Sequence, residues 1–205
     1  MNDRDIFIQK CVELNIQLSG EMLTRIDQYA FLLSKWQKKF NLIGPDTVPY
    51  IYSRHILDCA QICPMINSDD FVLDIGAGAG LPSIIISIIT GAKVHACETV
   101  GKKIQFMGEV KRQLKLDDRF TPLNEDVYKL HLNNSRYSVV TSRAFSSVDN
   151  ILKAGNPLLS KNGKYILLKG SNFDVEKNKS SLIKCMTVKE KDSITFIGGK
   201  VLVLK

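Results

Sequence analysis

The chain has few of the groups that bind metals or cross-link polypeptides. Its five cysteines (Cys11, Cys59, Cys63, Cys97, Cys185) are scattered, odd in number and form no C-x-x-C pair. Cys59 and Cys63 lie one helical turn apart but have no histidine pair near them. They read as reduced thiols in a helix–core contact rather than as half of a zinc site. The three histidines, His55, His95 and His131, are equally dispersed, so no metal is expected. No apolar run approaches the roughly 20 residues that span a bilayer. The opening residues "MNDRDIFIQK" carry two aspartates and an arginine before any apolar segment, so they do not read as a signal peptide and a cytoplasmic location is the expectation. There is no internal repeat and no low-complexity linker. What is present, 205 residues of which 44% are hydrophobic, suffices for one full α/β domain and a small appendage.

Basic residues outnumber acidic ones by 28 to 21, a net charge of +7 that suits a polyanionic partner. Location says more than the sum. The segment "GKKIQFMGEVKRQLK" (101–115) holds Lys102, Lys103, Lys111, Arg112 and Lys115 against Glu109 alone. A solvated helix face and a phosphate-binding face account for it equally well.

Helical periodicity covers residues 5–14 and 22–40, where Met22, Ile26, Tyr29, Leu33, Trp36 and Phe40 form one stripe. Ser19 is placed to cap the second helix, and Lys35, Lys38 and Lys39 suit its negative end. "GPDTVP" (44–49) interrupts, and residues 50–63 form a further helix. From residue 71 the rhythm changes. Short β-branched runs at 71–75, 93–97, 120–123, 137–142 and 164–169 alternate with helical stretches at 81–90, 100–115, 127–131 and 147–154. This is the signature of a parallel sheet with helices on both faces. The isoleucines of 81–90 favour a strand. Pro82 at a first helical turn and the need for a crossover make it a buried helix. The last 23 residues read as two strands joined at Gly198-Gly199, a hairpin closing one sheet edge. The expected division is a helical cap over 1–66 and an α/β domain over 67–205.

The stretch "VLDIGAGAGLPS" (72–83) ends the first strand in glycines on alternate positions, Gly76, Gly78 and Gly80, and leads into a helix. At such a junction backbone amides point outward and the helix dipole adds positive character, so a cofactor is expected there. The dinucleotide pattern G-x-G-x-x-G fails in both registers, since its third glycine falls on Leu81 or Ser83. The pattern is D-x-G-x-G-x-G. Asp74 beside the turn is awkward for a pyrophosphate and useful for an ammonium group, such as that of S-adenosylmethionine. Glu98, 24 residues on at the end of the second strand, is placed to accept ribose hydroxyls. Asp126, after the third strand, is placed to flank an adenine.

The acceptor is narrowed by elimination. Amino-group nucleic-acid methyltransferases carry a D/N-P-P-Y/F run after the fourth strand, where this chain reads "TSRAFSS" (141–147). Pyrimidine C5 methylation needs a cysteine nucleophile there, and Cys97 is on another strand. Guanine N7 needs neither a base nor a covalent catalyst, because its lone pair is free at neutral pH. A 2′-hydroxyl with Lys169 as base stays open, as do a small-molecule acceptor and a non-catalytic RNA-binding assembly factor.

"KWQKKFNL" (35–42), "RHILD" (54–58), "DIGAGAGLPSI" (74–84), "ETVGKKIQF" (98–106), "SRAF" (142–145) and "LLKG" (167–170) together resemble the GidB-type bacterial 16S ribosomal RNA guanine-N7 methyltransferases. The resemblance covers most of the chain. It implies a class I, Rossmann-like methyltransferase fold, with a seven-stranded, mostly parallel sheet, a C-terminal antiparallel hairpin and the N-terminal helical cap. It also implies methylation of guanine 527 in the 530 loop of 16S RNA, as naked RNA or 30S subunit, with S-adenosylmethionine; a monomer is expected. Cofactor contacts follow at Gly76, Leu81, Asp126, Val127, Tyr128 and Arg143, beside those expected of Asp74, Gly78, Gly80 and Glu98. The family commonly has proline where Ala79 stands and glycine where Ser83 stands.

On that footing Arg143 is the candidate catalytic side chain, beside the cofactor and able to reach RNA; its structural alternative is a salt bridge, with Asp74 for example. Arg54, His55, Lys102, Lys103, Phe145 and Lys169 complete the expected RNA-facing set. For His55 and Phe145 the competing reading is a core residue. Trp36, the single tryptophan, is expected to pack the cap on the domain.

Overall fold

A computed structural model describes residues 1–130, 136–143, 145–171, 173, 176, 180, 182–195 and 198–205. Two helices open the chain, α1 (Asp3–Glu13) and α2 (Gly20–Gln37). Ser19 caps α2, its side chain accepting from the Met22 amide, as the sequence predicts. Lys38 and Lys39 fall just beyond the helix, which ends at Gln37.

The single helix expected over 50–63 is instead broken into pieces. A 3-10 stretch (Pro45–Tyr50) runs into a π-helical turn (Ile51–Ile56), a short α3 (Leu57–Ala60) and another 3-10 turn (Cys63–Met65). The cause lies far away in sequence. The Asp3 carboxylate of α1 accepts from the Tyr52 and Ser53 amides at 2.7 and 3.1 Å, pinning the start of the wide turn.

Seven strands then form one sheet: β1 (Phe71–Ile75), β2 (Lys93–Glu98), β3 (Phe120–Asn124), β4 (Tyr137–Arg143), β5 (Leu159–Lys169), β6 (Val188–Asp192) and β7 (Lys200–Leu204). Their order is β3-β2-β1-β4-β5-β7-β6, with β7 antiparallel to both neighbours and every other pair parallel. Pro122 is tolerated within β3 because that strand is an edge. The opposite edge, β6, is blunted by Lys189, Glu190 and Lys191. Strand β5 starts at Leu159, earlier than the expected 164. Between strands lie α4 (Ser83–Thr90), α5 (Gly101–Leu114) and α6 (Val148–Gly155). The isoleucine-rich segment is helical. Gly91, left-handed with φ 72°, ends it by donating to the Ser87 carbonyl. The region expected to be helical at 127–131 is a 3-10 turn (Val127–Lys129), and residue 131 lies outside the described residues.

Alternation along β1 sorts its side chains between two cores. Val72 packs with α1, α2, α4 and α5 on one face, and Leu73 and Ile75 pack with α6 on the other. The N-terminal helices share the first core with the sheet. Tyr29 of α2 is fully buried and donates to the Ala79 carbonyl in the glycine turn at 2.9 Å. Strand order reverses at β1, between β2 and β4, so the carboxyl end of β1 is the switch point at which open α/β sheets bind ligands.

Candidate active site

Gly76, Gly78 and Gly80 all adopt left-handed backbone, with φ of 71°, 60° and 78°. That conformation, not composition alone, explains their alternation, because an L side chain at each would be strained. At Gly76 close approach adds to it: a Cβ there would lie 2.2 Å from the Phe145 ring.

The expectation of outward-pointing amides needs correcting. Gly76 and Ala77 both donate to the Cys97 carbonyl, at 3.0 and 3.1 Å, and Gly80 and Leu81 both donate to Ala77. The Gly78 amide is held by Glu98 Oε2 at 3.0 Å. The turn spends these donors on its own shape, and its rigidity is their product.

Beside it opens a cleft of about 310 Å³, at the lower end of the roughly 300–1,000 Å³ of small-ligand sites. Gly76, Glu98, Lys103, Asp126, Val127 and Phe145 line it, with Ile75, Cys97, Thr99 and Glu125, four residues that sequence reasoning did not single out for this cleft. These last four flank singled-out positions, which is the signal that could have found them. Glu98 is only 8% exposed. Its Oε1 accepts from the Thr99 and Val100 amides at 2.9 and 3.0 Å, and its Oε2 takes Lys103 Nζ at 3.4 Å beside the Gly78 amide. A carboxylate has about four acceptor sites, and all four are engaged, with Lys103 the most loosely held partner. Asp126 accepts from the Tyr128 amide at 3.1 Å and fixes the turn that carries Val127 into the cleft. Cys97 donates to the Glu125 carbonyl, and burial pushes its thiol up to about 12, so it is no nucleophile at neutral pH.

Several expected cofactor contacts lie elsewhere. Asp74 is fully buried beneath the turn. Its Oδ2 accepts from Ser83 Oγ at 2.5 Å and from the Ser83 amide at 3.2 Å, tying β1 to α4, while Oδ1 is buried without a partner. Burial raises its pKa to about 7, against the counter-effects of Ser83 and Arg143. The side chain does not face the cleft, because β1 alternation sends Asp74 to the cap side and Ile75 to the other. Gly78 and Gly80 shape the turn without lining the cleft. Leu81 packs in the core, 5% exposed. Tyr128 lies outside, its hydroxyl donating to the Asn150 carbonyl at 3.3 Å.

Arg143 turns away as well, toward the cap. Its Nε meets Asp58 Oδ2 at 2.7 Å and its Nη2 donates to His55 Nδ1 at 2.9 Å. A salt bridge is formed, with Asp58 rather than Asp74. Because Nδ1 accepts from a guanidinium, His55 is neutral with its proton on Nε2, donated to Thr47 Oγ1 at 2.7 Å. Burial first, then Arg143 and Arg54, lower its pKa to about 4. His55 is therefore a satisfied buried histidine and not an RNA-facing one. Asp58, missed as a site residue though present in "RHILD", also receives Thr195 Oγ1 and Gln61 Nε2 at 2.7 and 2.8 Å.

Lys169 is likewise occupied. Only 8% exposed, it donates to the Ser146 carbonyl at 2.7 Å and pairs with Glu176 at 3.0 Å. Neither a base nor an RNA contact fits an ammonium held in this way. Arg54 and Lys102 are on the surface. Phe145, 43% exposed, stands against Gly76 as a wall of the cleft rather than in a core. Trp36 packs against Phe106 at 5.6 Å between ring centroids, joining cap to domain as expected. No cluster of potential metal ligands occurs among the described residues.

With this geometry in hand, comparison with known proteins is decisive. The sequence matches the family GidB, described as rRNA small subunit methyltransferase G, over residues 22–202. The chain belongs to the GidB family. A family relative, ribosomal RNA small subunit methyltransferase G of Paramagnetospirillum magneticum, is 35% identical over 189 residues, covering 92% of this chain and 90% of its own. Among solved structures, a ribosomal protein L11 methylase of Lactobacillus delbrueckii subsp. bulgaricus superposes with a TM-score of 0.58 at 11% identity, covering 73% of this chain and 78% of that one. A precorrin-6y C5,15-methyltransferase of Geobacter metallireducens gives 0.55 at 15% identity, covering 80% and 89%. The sheet is that of the class I methyltransferases, a fold whose members differ in acceptor.

Proposed function

We propose that this chain transfers a methyl group from S-adenosylmethionine to N7 of a guanine in 16S ribosomal RNA, guanine 527 of the 530 loop. The observation that carries the reading is the family match over residues 22–202, whose glycine turn and cleft stand at the switch point of the sheet.

The cleft fits the cofactor's nucleoside. Glu98 would take the ribose hydroxyls as Lys103 releases it, Asp126 and Val127 would flank the adenine, and Gly76 would present bare backbone beside the Phe145 wall. Bound cofactor supplies an electrophilic methyl on a sulfonium. The chain's own part is to hold the guanine in line and exclude water. The guanine N7 lone pair would take that methyl, with the carbon–sulfur electron pair staying on sulfur, so the chain need accept no proton. This chemistry asks for no base, and the candidates weighed for other acceptors are engaged: Lys169 is ion-paired and Cys97 is protonated. The same commitment of Lys169 argues against a 2′-hydroxyl acceptor.

The net charge of +7 accords with an RNA substrate, and no described helix is long and apolar enough to cross a membrane. We place the protein in the cytoplasm as a monomer. The test is incubation with labelled S-adenosylmethionine and either 30S subunits or 16S RNA. Label at one guanine, with the chain cleaved there by borohydride and aniline, is expected. No label in RNA overturns the reading.

A further inference from the structure

A second groove adjoins the cleft, between the end of α2 and the start of α5. Lys39, Phe40, Leu42, Val100, Lys102 and Lys103 line it. Lys103 lines both hollows, so the groove adjoins the cleft. Lys39 and Phe40 also border the next hollow, beside Lys35 and Trp36, which prolongs the path along α2.

Among its described lining residues the groove holds three lysines and no carboxylate. Farther along, Glu109 is the acidic neighbour, and Arg112 at 2.8 Å and Gln113 hold it. The floor is apolar, with Val100 45% exposed. Lys102 Nζ stands 5.4 Å from the centroid of the Phe40 ring, a cation–π contact that keeps the ammonium over the groove. Alternating positive charge and apolar surface is the chemistry of a single nucleic-acid strand, whose phosphates and bases alternate. Because the groove meets the cofactor cleft at Lys103, a strand lying in it is held beside the methyl donor.

We propose that this groove is the track for the RNA strand flanking the target guanine, with Lys39 and Lys102 as its phosphate contacts, Phe40 positioning Lys102, and Lys103 at the junction. The inference rests on the functional reading above and adds the path of the substrate.

The test is the double variant Lys39→Gln/Lys102→Gln, with Lys189→Gln/Lys191→Gln on β6 as a control of equal charge. The groove variant should raise KM for 16S RNA roughly tenfold, about the loss of one good contact, with kcat changed less than about twofold and cofactor affinity unchanged. The slope of log KM against log salt should fall by about 1.4, two contacts at roughly 0.7 each. The β6 control should alter neither. Phe40→Leu should raise KM without changing charge. Trp36, 5.5 Å from Phe40, reports directly: a short oligouridylate should change its emission in the wild type and not in the groove variant. Unchanged KM and slope, an equal effect from the β6 control, or an equal response to polyglutamate overturns the track. Wild-type label in RNA with an unchanged KM removes the groove alone. Absence of wild-type label removes both readings.

Discussion

Arg143 Nε lies 2.7 Å from Asp58 Oδ2, joining the end of β4 to a helical turn 85 residues earlier. The two motifs that "SRAF" and "RHILD" supply therefore meet, and their meeting fastens the N-terminal helices to the sheet. Their side chains are 20% and 12% exposed, so the pair is largely screened from solvent.

Removing one partner should cost much more than removing both. Asp58→Ala leaves the Arg143 guanidinium buried and unpaired, a loss of about 3–5 kcal/mol. Asp58→Leu/Arg143→Met should lose less than the sum of its single variants. Urea unfolding of the four proteins measures this, and additive losses would count against the coupling.

Asp74 and His55 oppose each other in pH. The Asp74 pKa is raised from 3.8 to about 7, so the folded state holds a proton that the unfolded state gives up, and stability falls as pH rises between those values. The His55 pKa is lowered from 6.5 to about 4, so the unfolded state takes a proton that the folded state refuses. Stability from that source rises with pH over the same range. Each contribution is on the order of 3–4 kcal/mol, and in the wild type they largely cancel. Asp74→Asn should expose a stability that climbs from pH 4 to 6.5, and His55→Gln one that declines from pH 4 to 7. Denaturant midpoints at each pH decide the signs.

Gly76→Ala carries two penalties, the left-handed φ of 71° and the 2.2 Å approach to Phe145. The first costs about 1–2 kcal/mol. The second forces the ring out of the cleft wall. Calorimetric titration with S-adenosylmethionine should show at least about tenfold weaker binding, equivalent to roughly 1.4 kcal/mol. Adding Phe145→Ala should relieve the collision and leave the strain. Full recovery would mean that the strain is negligible.

Methylation at N7 releases no proton, so kcat should be level between about pH 6.5 and 8.5, where no base need be freed. A 2′-hydroxyl acceptor would make kcat climb with pH. Lys169→Met should chiefly lower stability, since Lys169 fastens Ser146 and Glu176. A log-linear rise of kcat with pH that this variant abolishes would restore Lys169 as a base.

Local chemistry made much of this molecule readable in advance. The Ser19 cap, Pro82 and Gly91 around α4, and the glycines around the last hairpin each act within a few residues, so the chain alone determined α2, the buried crossover and the antiparallel edge. The alternating glycines did the same for the turn, because a left-handed backbone demands them wherever the chain is placed. Side-chain direction was another matter. Asp74, Arg143 and Lys169 were singled out by type and order, yet all three are directed into ion pairs or hydrogen bonds that sequence spacing does not reveal. The Asp3 carboxylate that shapes the turn at Tyr52 acts across 49 residues. Alternation sets which face of a strand a charge occupies, but what waits there is decided by the tertiary packing of the N-terminal helices on the sheet. A buried charge accepts only a geometry that compensates it, and that compensation comes from residues brought together by folding.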